Sequence, residues 1–99
     1  MILLIKKIEI SSNSEQLYYL KLSDEISLTQ FRHRLAEKIG RHDYALFHNL
    51  TESKLVTLLS DDDLSISMEV GCSYASQLRV DNVFSVFPGN ERISVHFSL

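Results

Sequence analysis

One cysteine, one proline and three glycines leave this chain little with which to build a disulfide scaffold, a proline-rich linker or a phosphate-cradling loop. Cys72 has no partner for an internal disulfide, which suits a reducing compartment and predicts a cytoplasmic or nuclear protein. Its side chain reads as a small core or surface residue. Gly40, Gly71 and Gly89 are too scattered to form a nucleotide-binding loop. Long apolar runs are also missing. Met1–Ile5 is interrupted by Lys6 and Lys7, too early for a signal-peptide core. No segment approaches the ~18–20 apolar residues of a membrane span. Asn49-Leu50-Thr51 fits a glycosylation sequon, but without an export signal it reads as chance.

Positive charge is scarce as well. A net charge of −3 and a pI near 5.7 give no field suited to phosphates, which argues against nucleic acid as partner. His33, His42, His48 and His96 show none of the paired spacings of a structural zinc site. Serines, histidines and aspartates occur, yet no local motif joins them into a nucleophile and its base. These absences predict a protein that is not an enzyme and needs neither metal nor cofactor.

What is present is one domain's worth of ordinary globular sequence, 99 residues and 11.4 kDa, read as a single domain over 1–99. Residues 2–10, ILLIKKIEI, are β-branched and alternate at their end, with Ile8 and Ile10 opposite Lys7 and Glu9. The polar run Ser11–Ser14 reads as a turn, and Leu17–Leu22 as the second strand of a hairpin. The period then changes. Leu28, Phe31, Leu35 and Ile39 make the apolar stripe of an amphipathic helix. Ser27 with Gln30 reads as a capping box at its start, and Gly40 as its left-handed terminator.

Tyr44–His48 and Leu55–Leu59 read as two more strands. Ser60 followed by Asp61, Asp62 and Asp63 has the chemistry of a helix N-terminus, because the serine caps and the carboxylates face the positive end of the dipole. A short helix over 61–68 is expected. Val83–Phe87 reads as a strand, Pro88–Glu91 as a turn, and Ile93, Val95, Phe97 and Leu99 as one face of a last strand. The order ββαββα plus one or two strands predicts an α+β domain of ubiquitin-like β-grasp build, a mixed sheet packed on one main helix, with Phe31, Leu35 and Ile39 buried against Ile8, Leu20 and Val95.

Val56-Thr57-Leu58-Leu59-Ser60-Asp61-Asp62-Asp63-Leu64 resembles the acidic motif of PB1 domains, in which a valine-containing strand runs into an S-D-x-D-L helix start. The element order, a lysine late in the first strand and the Phe31/Leu35/Ile39 stripe are similar too, so the resemblance spans about residues 2–68. It implies a protein–protein interaction module that pairs front to back, a first-strand lysine of one copy meeting the acidic helix start of another. The partner implied is another PB1-like protein or a second copy of this chain, with no role for nucleic acid or membrane.

Carried onto this sequence, the basic role falls first to Lys7, whose phase opposite Ile8 and Ile10 points it away from the expected core. Lys6 shares the core phase unless a bulge intervenes, and Lys21 shares an outward phase with Tyr19. The acidic role falls to Asp61, Asp62, Asp63 and Glu52. The stretch Leu50–Lys54 departs from the family's dense acidic loop, since it keeps only Glu52 and adds Lys54. About twenty residues between Met68 and Arg92 are also extra.

Each feature also has a plainer explanation. Helix-start acids stabilise a helix by ~0.3–1 kcal/mol each. Lysines on strands protect sheet edges. Arg32, His33 and Arg34 form a basic helix face of the kind that is usually just solvated. Tyr18, Tyr19, Tyr44 and Tyr74 can serve as interface anchors or as packing. A second functional reading is an assembly subunit of the same fold that binds through residues 69–91 or a sheet edge, Val83–Phe87 being apolar enough to serve.

Overall fold

In the computed structural model, which describes residues 1–89, the chain runs β1 (Ile2–Glu9), β2 (Ser14–Lys21), α1 (Leu28–Ile39), β3 (Tyr44–Asn49), β4 (Leu55–Thr57), α2 (Asp61–Val70) and β5 (Asn82–Pro88). The strand expected over Ile93–Leu99, Val95 included, lies outside the described residues. One five-stranded sheet has the order β2-β1-β5-β3-β4. β1 and β2 form an antiparallel hairpin, β5 runs parallel to β1, and β3 lies antiparallel to both β5 and β4. This is a mixed α+β sheet of ubiquitin-like β-grasp type.

α1 forms where its local signals converge. The Ser27 hydroxyl accepts from the Gln30 amide, the Gln30 side chain accepts from the Ser27 amide, and Gly40 ends the helix at φ 81° with its N–H on the Ala36 carbonyl. The helix drives Phe31, Leu35 and Ile39 onto one face of the sheet, among Leu3, Ile5, Leu20, Leu46, Phe84 and Val86. Phe31 meets Phe84 edge-on at 5.0 Å between ring centroids. α2 starts at Ser60, whose hydroxyl accepts from the Asp63 amide, and it continues two residues past the expected end at Met68, to Val70. β4 stops at Thr57 instead of Leu59.

Two expectations are corrected. Ile8 does not pack beneath α1: it lies on the opposite face with Phe47 and Phe87, and Ile10 is exposed beyond the strand end. Val83–Phe87 is not an edge. β5 sits between β1 and β3, buried on both faces: Phe84 and Val86 join the core under α1, and Val83 and Phe87 join two separate apolar clusters on the far face. The far face of the sheet is partly interior, because the segment after α2, with a 3₁₀ turn at Ala75–Leu78, lays Ala75, Val80 and Tyr74 over Leu4 and Val83. The sequon residue Asn49 is buried, its side-chain carbonyl accepting from the Ser85 hydroxyl at 2.6 Å.

Candidate protein-binding surfaces

The phase of β1 decides where its lysines go. Leu3 and Ile5 belong to the core under α1, so Lys7 is on the helix side of the sheet and Lys6, with Leu4 and Ile8, on the far side. This reverses the assignment read from Ile8 and Ile10. The cause is the run Leu3-Leu4-Ile5, buried on both faces, which carries no alternation of its own.

The two ammonium groups also differ in company. Lys7 Nζ is 3.7 Å from Glu9 Oε1 and 3.4 Å from Gln16 Oε1, and its side chain is only 14% exposed. Lys6 Nζ lies 5.1 Å from the centre of the Tyr74 ring, a cation–π contact, and has no ion pair among the described residues. Lys21 pairs opposite Ile2 across the hairpin, so it shares the far face with Lys6, as do Tyr19 and Leu17.

The acidic residues gather at the start of α2, and they too are not equivalent. Asp61 Oδ1 accepts from the Leu28 amide at 2.7 Å, thereby capping α1 from another helix. Asp63 Oδ2 accepts from the Leu59 amide at 2.8 Å. Asp62 is exposed and has no hydrogen bond or ion pair among the described residues. Glu52 is exposed in a β3–β4 turn closed by the Thr51 hydroxyl, which accepts from the amides of Ser53 and Lys54. The exposed apolar residues Leu59, Ile66 and Val70 flank this acidic surface.

Of the small basic face on α1, Arg32 and Arg34 reach toward the sheet. Arg32 lies over the buried Tyr44 ring at 5.3 Å, and its carbonyl accepts from the Tyr44 hydroxyl at 2.9 Å. Burial pushes that phenol's pKa up, with Arg32 opposing. His33 stands 3.6 Å from Glu37. Arg34 Nη2 donates to the Lys21 carbonyl at 3.2 Å. Sequence reading left Arg34 as solvated and did not single out Lys38 or Arg79, yet the fold brings all three together with Lys21 around one open groove of about 790 Å3. Arg34 and Lys38 share one face of α1, but Lys21 and Arg79 lie far from them in sequence, and no local pattern joins the set.

Elsewhere, Arg41 and Asp43 form a two-pronged ion pair, with Nε to Oδ1 at 2.7 Å, and Arg41 holds the Asp43 carboxyl below its ordinary pKa. No group of three or more potential metal ligands occurs among the described residues. None of their helices is long and apolar enough to cross a membrane.

A sequence model of the PB1 domain matches residues 6–83, most of the chain. No curated protein matches it. The match starts at the first-strand lysines, includes the capped acidic helix start, and overlies a sheet of the order expected for that fold. The chain therefore belongs to the PB1 domain family, whose members are interaction modules that bind other PB1 domains.

Proposed function

We propose that this domain pairs front to back with another PB1 domain or with a second copy of itself. Lys6 of one molecule meets the Asp61–Asp63 helix start of the next, Lys21 adds a second basic contact, and Glu52 flanks the acidic side. Asp62 leads the acidic set, because Asp61 and Asp63 each already accept a backbone hydrogen bond. Lys7 stays with Glu9 and Gln16 and steadies the strand end.

The observation that carries this reading is the Lys6 ammonium on the far face of β1, which has no ion pair among the described residues. Its counter-charge lies across the sheet. β1 and β4 are separated by β5 and β3, so three strand spacings, roughly 14 Å, divide the lysine strand from the strand that leads into the acids. That exceeds a Debye length at physiological salt, about 8 Å. The two charges therefore address different molecules. Charge-assisted hydrogen bonds at such a contact steer encounter and fix register.

The test is light scattering on wild type and on Lys6→Glu, Asp62→Lys and their mixture. Loss of assembly in each variant, with a heterodimer restored on mixing, supports homotypic pairing. If wild type is monomeric, a PB1 partner captured by wild type should be lost to Lys6→Glu at a cost of ~2–5 kcal/mol. Variants that bind and assemble as wild type does would overturn the reading.

A further inference from the structure

The groove beside β2 has an electrostatic character opposite to that of the chain as a whole. The chain carries a net −3, yet Lys21, Arg34, Lys38 and Arg79 line the groove with Glu37 as its one acid. Its floor is apolar, formed by Ile2, Tyr19 and Leu78, and Tyr19 is 65% exposed. An exposed aromatic between four cations fits a ligand that brings both carboxylates and an apolar side chain.

The groove also runs along a strand edge that no described residue pairs with. β2 is an outer strand, pairing with β1 alone among the described residues. Leu22 exchanges hydrogen bonds with Met1 in both directions. In an antiparallel ladder such pairs alternate, so Leu20 and Tyr18 face β1, whereas the N–H and C=O groups of Tyr19 and Leu17 point outward. The Arg34 guanidinium already occupies the next outward carbonyl, that of Lys21, and so marks one end of the open stretch.

Arg79 is held in place by the fold. It adopts the left-handed region at φ 60° and ψ 36°, which costs a non-glycine residue strain. Two residues on, Asp81 clamps β1: its carboxylate accepts from the Ile2 amide at 2.7 Å, and its own amide donates to the Ile2 carbonyl at 2.8 Å. This clamp fixes the guanidinium-bearing turn against the groove floor.

We infer that the open edge of β2, together with the groove that wraps it from α1 to the turn at Leu78 and Arg79, binds an acidic, extended peptide segment of a partner protein. The peptide adds as a strand, its backbone bonding to Leu17 and Tyr19, its carboxylates meeting Lys21, Arg34, Lys38 and Arg79, and one apolar side chain resting on Tyr19 and Leu78. The open backbone edge favours a peptide over a lipid headgroup, which has no use for alternating donors and acceptors. The site is centred away from Lys6 and shares only Lys21 with the proposed front-to-back contact.

The probe is a fluorescein-labelled peptide, Glu-Glu-Phe-Glu-Asp-Glu, followed by anisotropy, with a lysine-substituted peptide and phosphatidylserine vesicles as the other arms. Wild type binds the acidic peptide saturably, and amide resonances of Leu17 and Tyr19 shift. Arg34→Glu/Lys38→Glu weakens binding about tenfold or more, and Arg79→Glu alone weakens it about threefold or more, whereas Lys6→Glu changes it less than about twofold. All these side chains are exposed or half-buried, so unchanged thermal unfolding of each variant is expected. The inference is overturned by no saturable binding, by equal binding of the lysine peptide, by vesicle binding without peptide binding, or by a loss in Lys6→Glu equal to that in the groove variants.

Discussion

His48 Nε2 lies 2.7 Å from Asn82 Oδ1, linking β3 to β5 in the interior. The orientation of the asparagine follows from its other bonds, since Nδ2 donates to the Ser67 carbonyl at 2.9 Å and Oδ1 accepts from the Val83 amide at 3.1 Å. Oδ1 must then be the acceptor facing the imidazole, and Nε2 carries the proton. One asparagine thereby ties α2 to the two central strands.

Burial holds the His48 pKa below its ordinary value of 6.5, with the Asn82 bond offsetting part of the shift. The unfolded chain thus binds a proton that the folded chain refuses. Stability from this site is complete above about pH 6.5 and is lost as pH falls toward the folded pKa, by at most about 1.4 kcal/mol per pH unit. Urea unfolding between pH 7.5 and 5 should show that loss, and His48→Gln should flatten it. An unchanged slope in the variant would assign the loss to other groups.

Asp61 serves the fold before it serves a partner. Removing its carboxylate in Asp61→Ala strands the Leu28 amide at the first turn of α1 and should cost ~0.5–2 kcal/mol. Asp61→Asn keeps an acceptor in place and should recover most of that in thermal unfolding. Loss of partner binding in Asp61→Asn would then report charge alone.

Leu35 has no exposed surface and stands at the centre of the helix-side core. Leu35→Ala should lower unfolding free energy by ~2–5 kcal/mol in urea titration. A loss under ~1 kcal/mol would mean that the core collapses around the cavity far more completely than usual.

Front-to-back pairing driven by exposed charge should weaken with salt. Raising sodium chloride from about 50 to about 500 mM should reduce affinity about tenfold or more. Calorimetry across that series is the check, and salt-independent affinity would shift the binding to apolar residues such as Ile66 and Val70, both exposed on α2.

α1 was legible residue by residue because its signals are local: the capping pair Ser27 and Gln30, the stripe through Phe31, Leu35 and Ile39, and the left-handed Gly40 all fall within one segment. The start of α2 was legible for the same reason. The face of β1 was not, because Leu3, Leu4 and Ile5 are all apolar, and only the packing of α1 on one side and of Ala75 and Val80 on the other decides which way each points. The same covering segment hid the fate of Val83–Phe87, a strand buried on both faces with Ser85 as its one polar residue. The groove was invisible because its cations come from three places in the chain, β2, α1 and the turn at Arg79, and only the tertiary fold collects them.

The bond from the Ile2 amide to the Asp81 carboxylate spans 79 residues of sequence. At a synthesis rate of about 5–20 residues per second, β5 emerges roughly 4 to 16 s after β1. Until then β1 has its hairpin partner on one side and nothing on the side that β5 will fill, an open template for any passing strand. A closure between such distant segments also slows folding. The interval in which this domain is most exposed to mispairing is therefore its own translation, and a nascent-chain chaperone has its clearest purpose between the release of β1 and the arrival of Asn82.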